Sequence, residues 1–131
     1  MNLDAFRDFL LNIHECEPNE QRSMIEAIKN CGFDINQQDD EGETMLSSAS
    51  SSYEDLGDIV SYLLRNGADE TIKHRDGEDV LHRVVYWQNN VCLIELLKNR
   101  DFATEKLEFY QNECRRGGKW PAGDAIISQY I

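Results

Sequence analysis

"DEGETMLSSAS", residues 40 to 50, decides how this chain is read. It carries an acidic run, a glycine, a lone Thr-Met-Leu and then small residues, so it is neither a good helix nor a good strand as written. A serine-rich linker, a catalytic serine loop, or one phase of a repeat would each fit it. Self-comparison separates these readings, because a fixed period changes the meaning of every other segment. Gly42-Glu43-Thr44-Met45-Leu46 returns as Gly77-Glu78-Asp79-Val80-Leu81, 35 positions on, and Gly32-Phe33-Asp34 returns as Gly67-Ala68-Asp69 at the same spacing.

The local physics of one unit follows from its residues. Asp-x-x-Gly is turn chemistry, with the glycine supplying a positive φ. Thr44 is placed to cap a short first helix with Leu46 and Ala49 on its inner side. Tyr53 to Gly57 breaks that helix, and Asp58 to Arg65 forms a second one whose stripe, Ile59, Val60, Leu63 and Leu64, has helical spacing. Gly67 closes it as a C-terminal cap. The next unit carries the corresponding stripe Leu93, Ile94, Leu96 and Leu97. A helix pair of this size cannot close a core alone, so neighbours must stack on it.

These residues resemble the ankyrin repeat, which has a period of about 33 residues and a T-P-L-H-x-A signature. Gly77-Glu78-Asp79-Val80-Leu81-His82-Arg83-Val84 matches that phase, as does Gly42-Glu43-Thr44-Met45-Leu46-Ser47-Ser48-Ala49. Asn66-Gly67-Ala68-Asp69 is similar to the family's repeat ending, and Gly32-Phe33-Asp34-Ile35-Asn36 is a close variant. The serine string is then a first helix and its exit. The resemblance implies an all-α helical solenoid with short turns and degenerate helical caps. Met45 and Val80 stand where the signature has proline, Val84-Val85 replaces a small Ala-Ala pair, and Arg100 falls where a third glycine is expected. The replaced pair implies atypical stacking after the second repeat.

The chain is expected to be one domain, 1–131: a cap helix pair over 1–31, recognisable repeats over 32–99 and a C-terminal cap over 100–131. The first cap comprises helices from Leu3 to Ile13 and Gln21 to Cys31, separated at Pro18-Asn19, with Met24, Ile25 and Ile28 on one face of the second. The last comprises helices over 103–115 and from Gly123 to Gln129, with Trp120 covering the end of the core.

Charge narrows the function classes. The 131 residues hold 25 acids against 13 Lys and Arg, a formal net charge of −12. Such a surface repels nucleic acid and anionic membranes and attracts basic proteins. No apolar run approaches the roughly 18 residues of a transmembrane helix, and Asp4, Arg7 and Asp8 interrupt the N-terminus where a signal peptide needs an apolar core. Cys16, Cys31, Cys92 and Cys114 form no C-x-x-C pair and read as reduced thiols of a cytoplasmic protein. The chain is expected to be self-sufficient as a monomer, with its oligomeric state left open.

The motifs of catalysis and ligation are missing. There is no G-x-S-x-G around the serines, so no catalytic residue is assigned. His82 sits where the ankyrin pattern uses a histidine to tie one repeat to the next, and His14 and His74 lack a histidine or cysteine at i+3 or i+4, so no metal site is assigned. "RRGGKWPAGD", residues 115 to 124, lacks the phosphate-loop spacing and a strand to feed it. No cofactor is expected.

The charge is unevenly placed: residues 32–79 carry a net −10, whereas 1–31 come to −3 and 80–131 to +1. The resemblance implies that the acidic turn projects toward partners, with Arg83, Tyr86 and Trp87 on or near the adjoining first helix. Asp39, Asp40, Glu41, Glu43, Arg83, Tyr86 and Trp87 are therefore the expected partner-binding residues. The resemblance implies a binding scaffold, not an enzyme. Compact acidic chains of this kind also resemble bacterial immunity proteins, which implies neutralisation of a cognate toxin by occluding its basic surface or active site. The alternative is an ankyrin adaptor or secreted effector that binds a host protein.

Overall fold

A computed structural model describes residues 15–30, 32, 34–51 and 56–131. Among them are seven α-helices: α1 (Pro18–Asn30), α2 (Met45–Ser50), α3 (Gly57–Arg65), α4 (Val80–Trp87), α5 (Asn90–Asn99), α6 (Thr104–Arg115) and α7 (Pro121–Ser128). A short 3-10 turn, Arg116–Gly118, separates the last two, and no strand occurs among the described residues. The expected helix from Leu3 to Ile13, Cys31 and positions 53–55 of the expected Tyr53 to Gly57 break lie outside the described residues, while Gly57 begins α3.

The helices stack in two rows. α2 packs on α4 and α4 on α6, while α1 packs on α3, α3 on α5 and α5 on α7. The sequential pairs α2–α3, α4–α5 and α6–α7 also touch, so each pair is one layer of an all-α solenoid.

The starts of α2, α4 and α5 are set by side-chain caps. The Thr44 Oγ1 accepts from the Ser47 N–H at 3.1 Å while the Ser47 Oγ accepts from the Thr44 N–H at 2.8 Å, a reciprocal box that satisfies two orphan donors. One repeat on, Asp79 accepts from the His82 N–H at 3.0 Å, and Asn89 accepts from the Cys92 N–H at 3.0 Å to begin α5. Met45 and Val80 take the first helical position in place of proline and bury their side chains completely.

Every residue of α2 is buried, its serines included. Small side chains let this helix sit within the stack, so the serine string is interior. The core runs on through Ile25, Ile59, Leu63, Leu64, Leu81, Leu93 and Leu96. Leu64 and Leu97 are 2% and 4% exposed at corresponding places on α3 and α5.

The C-terminal layer is locked polar group by polar group. The buried Trp120 donates its indole N–H to Asn90 Oδ1 at 2.9 Å, and its backbone N–H donates to Cys114 O at 2.9 Å. Gly123 lies against the indole, where any Cβ would run into the ring. Arg115 pairs with Asp124 at 2.9 Å and Gln111 donates to the Ser128 hydroxyl at 2.7 Å. Arg100, the residue standing where the repeat expects glycine, reaches back to α3. Its guanidinium donates to Leu64 O at 2.8 Å and Ala68 O at 3.2 Å and pairs with Glu70 at 2.9 Å. A cation thereby satisfies carbonyls at a helix C-terminus, where the backbone dipole favours it.

Candidate functional site

Two turns project from the stack with one hydrogen-bond pattern. In the first, the Asp39 N–H donates to Glu43 O and the Gly42 N–H to Asp39 O, both at 3.0 Å. In the second, the His74 N–H donates to Glu78 O at 2.7 Å and the Gly77 N–H to His74 O at 2.8 Å. The two are stitched together by the Arg75 N–H donating to Glu41 O at 2.9 Å. Gly42 has φ +81°, and a Cβ built there would lie 2.7 Å from the Arg75 nitrogen, so both conformation and close approach require glycine. Amide side chains reinforce the seam: Gln38 donates to Lys73 O at 3.1 Å, Asn36 donates to Gly67 O at 3.1 Å, and Asn36 Oδ1 accepts from the Asp69 N–H at 2.8 Å.

A chain of polar contacts then crosses three layers. Ser47 donates to Glu43 Oε1 at 3.1 Å, and the other Glu43 oxygen faces His74 Nε2 at 3.3 Å. His74 Nδ1 lies 3.7 Å from Asp76, and Asp76 pairs with Arg83 at 3.0 Å. Arg83 also meets Glu78 at 3.3 Å, Glu78 meets His82 Nε2 at 3.1 Å, and His82 Nδ1 faces the Tyr110 hydroxyl of α6 at 3.3 Å. Lys106, also on α6, pairs with Asp79. His82 thus joins its own repeat to the C-terminal layer.

The expected site residues lie on the first turn and on α4, and they have different tasks. Asp39 is half-buried, and its carboxylate accepts the N–H groups of Glu41 and Glu43, each at 2.9 Å, so it builds the turn. Glu43 and Arg83 belong to the polar chain, with only 17% of the Arg83 side chain exposed. Asp40 and Glu41 are exposed at the turn tip, and Glu41 lies 4.0 Å from Arg75. Tyr86 is 66% exposed and packs edge-on against the half-buried Trp87, ring centres 5.8 Å apart. Three residues before Tyr86 on α4, Arg83 contacts the second turn, so the tyrosine follows the turns on the same helical face.

Tyr110 and Phe109 were not legible in the sequence as part of this face. Phe109 is 56% exposed and meets Tyr110 edge to face at 5.0 Å between ring centres. Their signal was faint because α6 carries no recognisable repeat motif. Between α4 and α6 the surface opens into a hollow of about 70 Å³ bordered by His82, Val85, Tyr86, Tyr110 and Trp120 among others.

The electrostatics match this division. Asp76 is held below the ordinary carboxylate value, first by the Glu78 N–H it accepts and further by Arg83 and His74. Burial, with the negative charges of Asp79, Glu78 and Glu113, pushes the Tyr110 hydroxyl up to about 12. Burial likewise lifts the Cys114 thiol to about 11, which leaves it protonated and unreactive at neutral pH. Cys114 is a free thiol. Among the described residues no group of three His, Cys, Asp or Glu is arranged to hold a metal, and no helix is long and apolar enough to cross a membrane.

Comparison with known proteins adds one firm match. Residues 12–107 fit the family model described as ankyrin repeats (3 copies), extending on both sides of the 32–99 stretch where the spacing is visible. Notch-regulated ankyrin repeat-containing protein B of Danio rerio is 26% identical over 88 residues, which is 67% of this chain and 78% of that protein. The Notch-regulated ankyrin repeat-containing protein of Xenopus tropicalis is 27% identical over 85 residues, 65% of this chain and 73% of that one.

Proposed function

The chain belongs to the ankyrin-repeat family, and from that premise we propose that it is a binding module for a basic protein surface, received on the turn row and the exposed face of α4. Repeats of this family bind proteins and are generally not enzymes. The observation that carries the finer reading is the union of two features on one face. Asp40 and Glu41 stand exposed at the turn tip, within the segment that holds a net −10, and Tyr86 stands two-thirds exposed one helical turn beyond Arg83, which contacts the second turn. Rim carboxylates steer an oppositely charged partner, and an exposed aromatic beside them supplies contact area that desolvates on binding. An inhibitor that occludes a toxin's active site and an adaptor that holds a host protein would both use this face, and the acidic turns favour neither.

A photo-crosslinking amino acid placed at Glu41, Tyr86 or Lys98 in the native cell tests the reading. Lys98 lies on α5, in the other helix row. Adducts to the same basic protein are expected from positions 41 and 86 and none from 98. Adducts concentrated at 98, or to an acidic partner, would contradict it.

A further inference from the structure

We propose that the hollow between α4 and α6 receives one aliphatic side chain of a basic peptide segment, a refinement that rests on the basic-partner reading above. The size of the hollow limits the occupant. A dry cavity of roughly 150 Å³ accommodates benzene, whereas this one measures about 70 Å³. The tip of a valine, isoleucine or leucine fits within it, and a whole aromatic ring would not be enclosed.

The walls favour an apolar group. Val85, Tyr86, Tyr110, Cys114 and Trp120 supply most of the lining. They are also held in place before any ligand arrives. Trp120 is fixed by its hydrogen bond to Asn90, and Tyr110 by His82 on one side and the Phe109 edge on the other. Pre-organised walls spare the ordering cost that a mobile surface incurs on binding. The opening exists where α4 carries Val84-Val85, the pair that departs from the small-residue repeat pattern. Val84 is fully buried, and the half-buried Val85 borders the hollow.

Charge complementarity sets what flanks the anchor. Glu78, in the second turn, reaches the wall through His82 at 3.1 Å, and Glu113 borders the hollow from α6. Burial first, and then the negative charges of Asp79, Glu78 and Glu113, raise the Tyr110 hydroxyl at the wall. Lys119 is a cation on the same border. Beyond Glu78 the acids continue through Asp76 to Glu41 and Asp40 of the first turn. Because Arg83 already meets Asp76 and Glu78, a segment with an aliphatic residue between lysines or arginines would place its apolar tip inside and its charges toward Glu113 at the border and toward the exposed Glu41 and Asp40.

The test is a selection from a displayed library of random dodecapeptides on the intact chain. Enriched peptides are expected to carry leucine, isoleucine, valine or methionine flanked by lysine or arginine. A synthetic representative should shift the Trp120 indole N–H resonance. Replacing its aliphatic residue by alanine should weaken binding about tenfold to a hundredfold, the worth of burying one such side chain. Val85→Phe fills the hollow without altering charge and should weaken binding at least about tenfold. Tyr86→Ala, at an exposed position where folding is not at stake, should also weaken it. Basic peptides that bind Val85→Phe and Tyr86→Ala as tightly as the parent would overturn the hollow and leave the basic-partner reading standing. Enrichment of aromatic anchors would also overturn the hollow. Enrichment of acidic peptides, or no enrichment at all, would overturn both.

Discussion

His74 Nε2 stands 3.3 Å from Glu43 Oε2, joining the second turn to the first across 31 positions of sequence. The side chains are 12% and 24% exposed, so water screens the pair only in part. Glu43→Gln and His74→Ala should each cost about 1 kcal/mol. The double variant should lose less than the sum by at least about 0.5 kcal/mol, because the two singles remove one shared contact. Urea unfolding of the four proteins measures the difference. Additive losses would show that the pair does not couple the turns.

Leu64 and Leu97 occupy corresponding buried places in α3 and α5. Leu→Ala at either should destabilise by about 2–5 kcal/mol, from lost transfer energy and the cavity left behind. In a short stack whose total stability lies near roughly 5–15 kcal/mol, that loss is a large fraction. Thermal melting checks it. Midpoints unchanged within about a degree would contradict the repeat phase.

Arg100 binds two carbonyls at the end of α3 and the Glu70 carboxylate at once. Arg100→Lys keeps the charge but cannot present a planar fork of donors. A loss of about 1–3 kcal/mol is expected, since hydrogen bonds from a charged group disappear and carbonyls are left under-satisfied. Equal stability of the lysine variant would mean that charge alone suffices.

Acid and alkali should act through different residues. Asp76 has its folded value below the ordinary 3.8, so the folded state binds its proton less tightly than the unfolded chain. Its contribution is present above that value and lost as pH falls through the depressed one. Asp69, held down first by Thr71, and Asp124, held down first by Arg115, add to the same acid limb. Asp76→Asn should flatten part of it. Tyr110 runs the other way: its folded value is about 12 against 10.0, so the stability it lends below pH 10 is lost as pH rises toward 12. Cys114 loses its share earlier, between 9.0 and about 11. Tyr110→Phe should remove the upper part of the alkaline loss, and an unchanged alkaline limb would sink the assignment.

The repeat was legible because its punctuation is local. A turn glycine and a threonine or aspartate cap two positions on are needed wherever the unit recurs, so Gly42-Thr44 and Gly77-Asp79 announce the phase on their own. The tasks of the charged residues were not legible. Asp39 reads as a rim acid beside Asp40 and Glu41, yet its carboxylate holds two backbone N–H groups of its own turn. The Asp-x-x-Gly spacing carried that signal. The Glu43–His74 contact appears only when two units are stacked, since no helical or turn spacing relates the residues. Arg100 reads as the end of the repeat, and its reach to Leu64 O depends on how α5 lies against α3. At the C-terminal layer, the helices and the buried Trp120 followed from the sequence, but the hollow depends on how α6 meets α4.

The most direct test of a turn row that steers a basic protein is association kinetics with the crosslinked partner across a salt series. Asp40→Asn with Glu41→Gln removes two exposed carboxylates and leaves the Asp39 turn intact. This variant should associate more slowly than the parent at low salt and show a flatter salt dependence, with dissociation little changed. Tyr86→Ala should do the reverse, dissociating faster with its salt slope preserved. Identical association rates and salt slopes for the parent and the carboxylate variant would contradict the claim and leave the acidic turns as solvated surface.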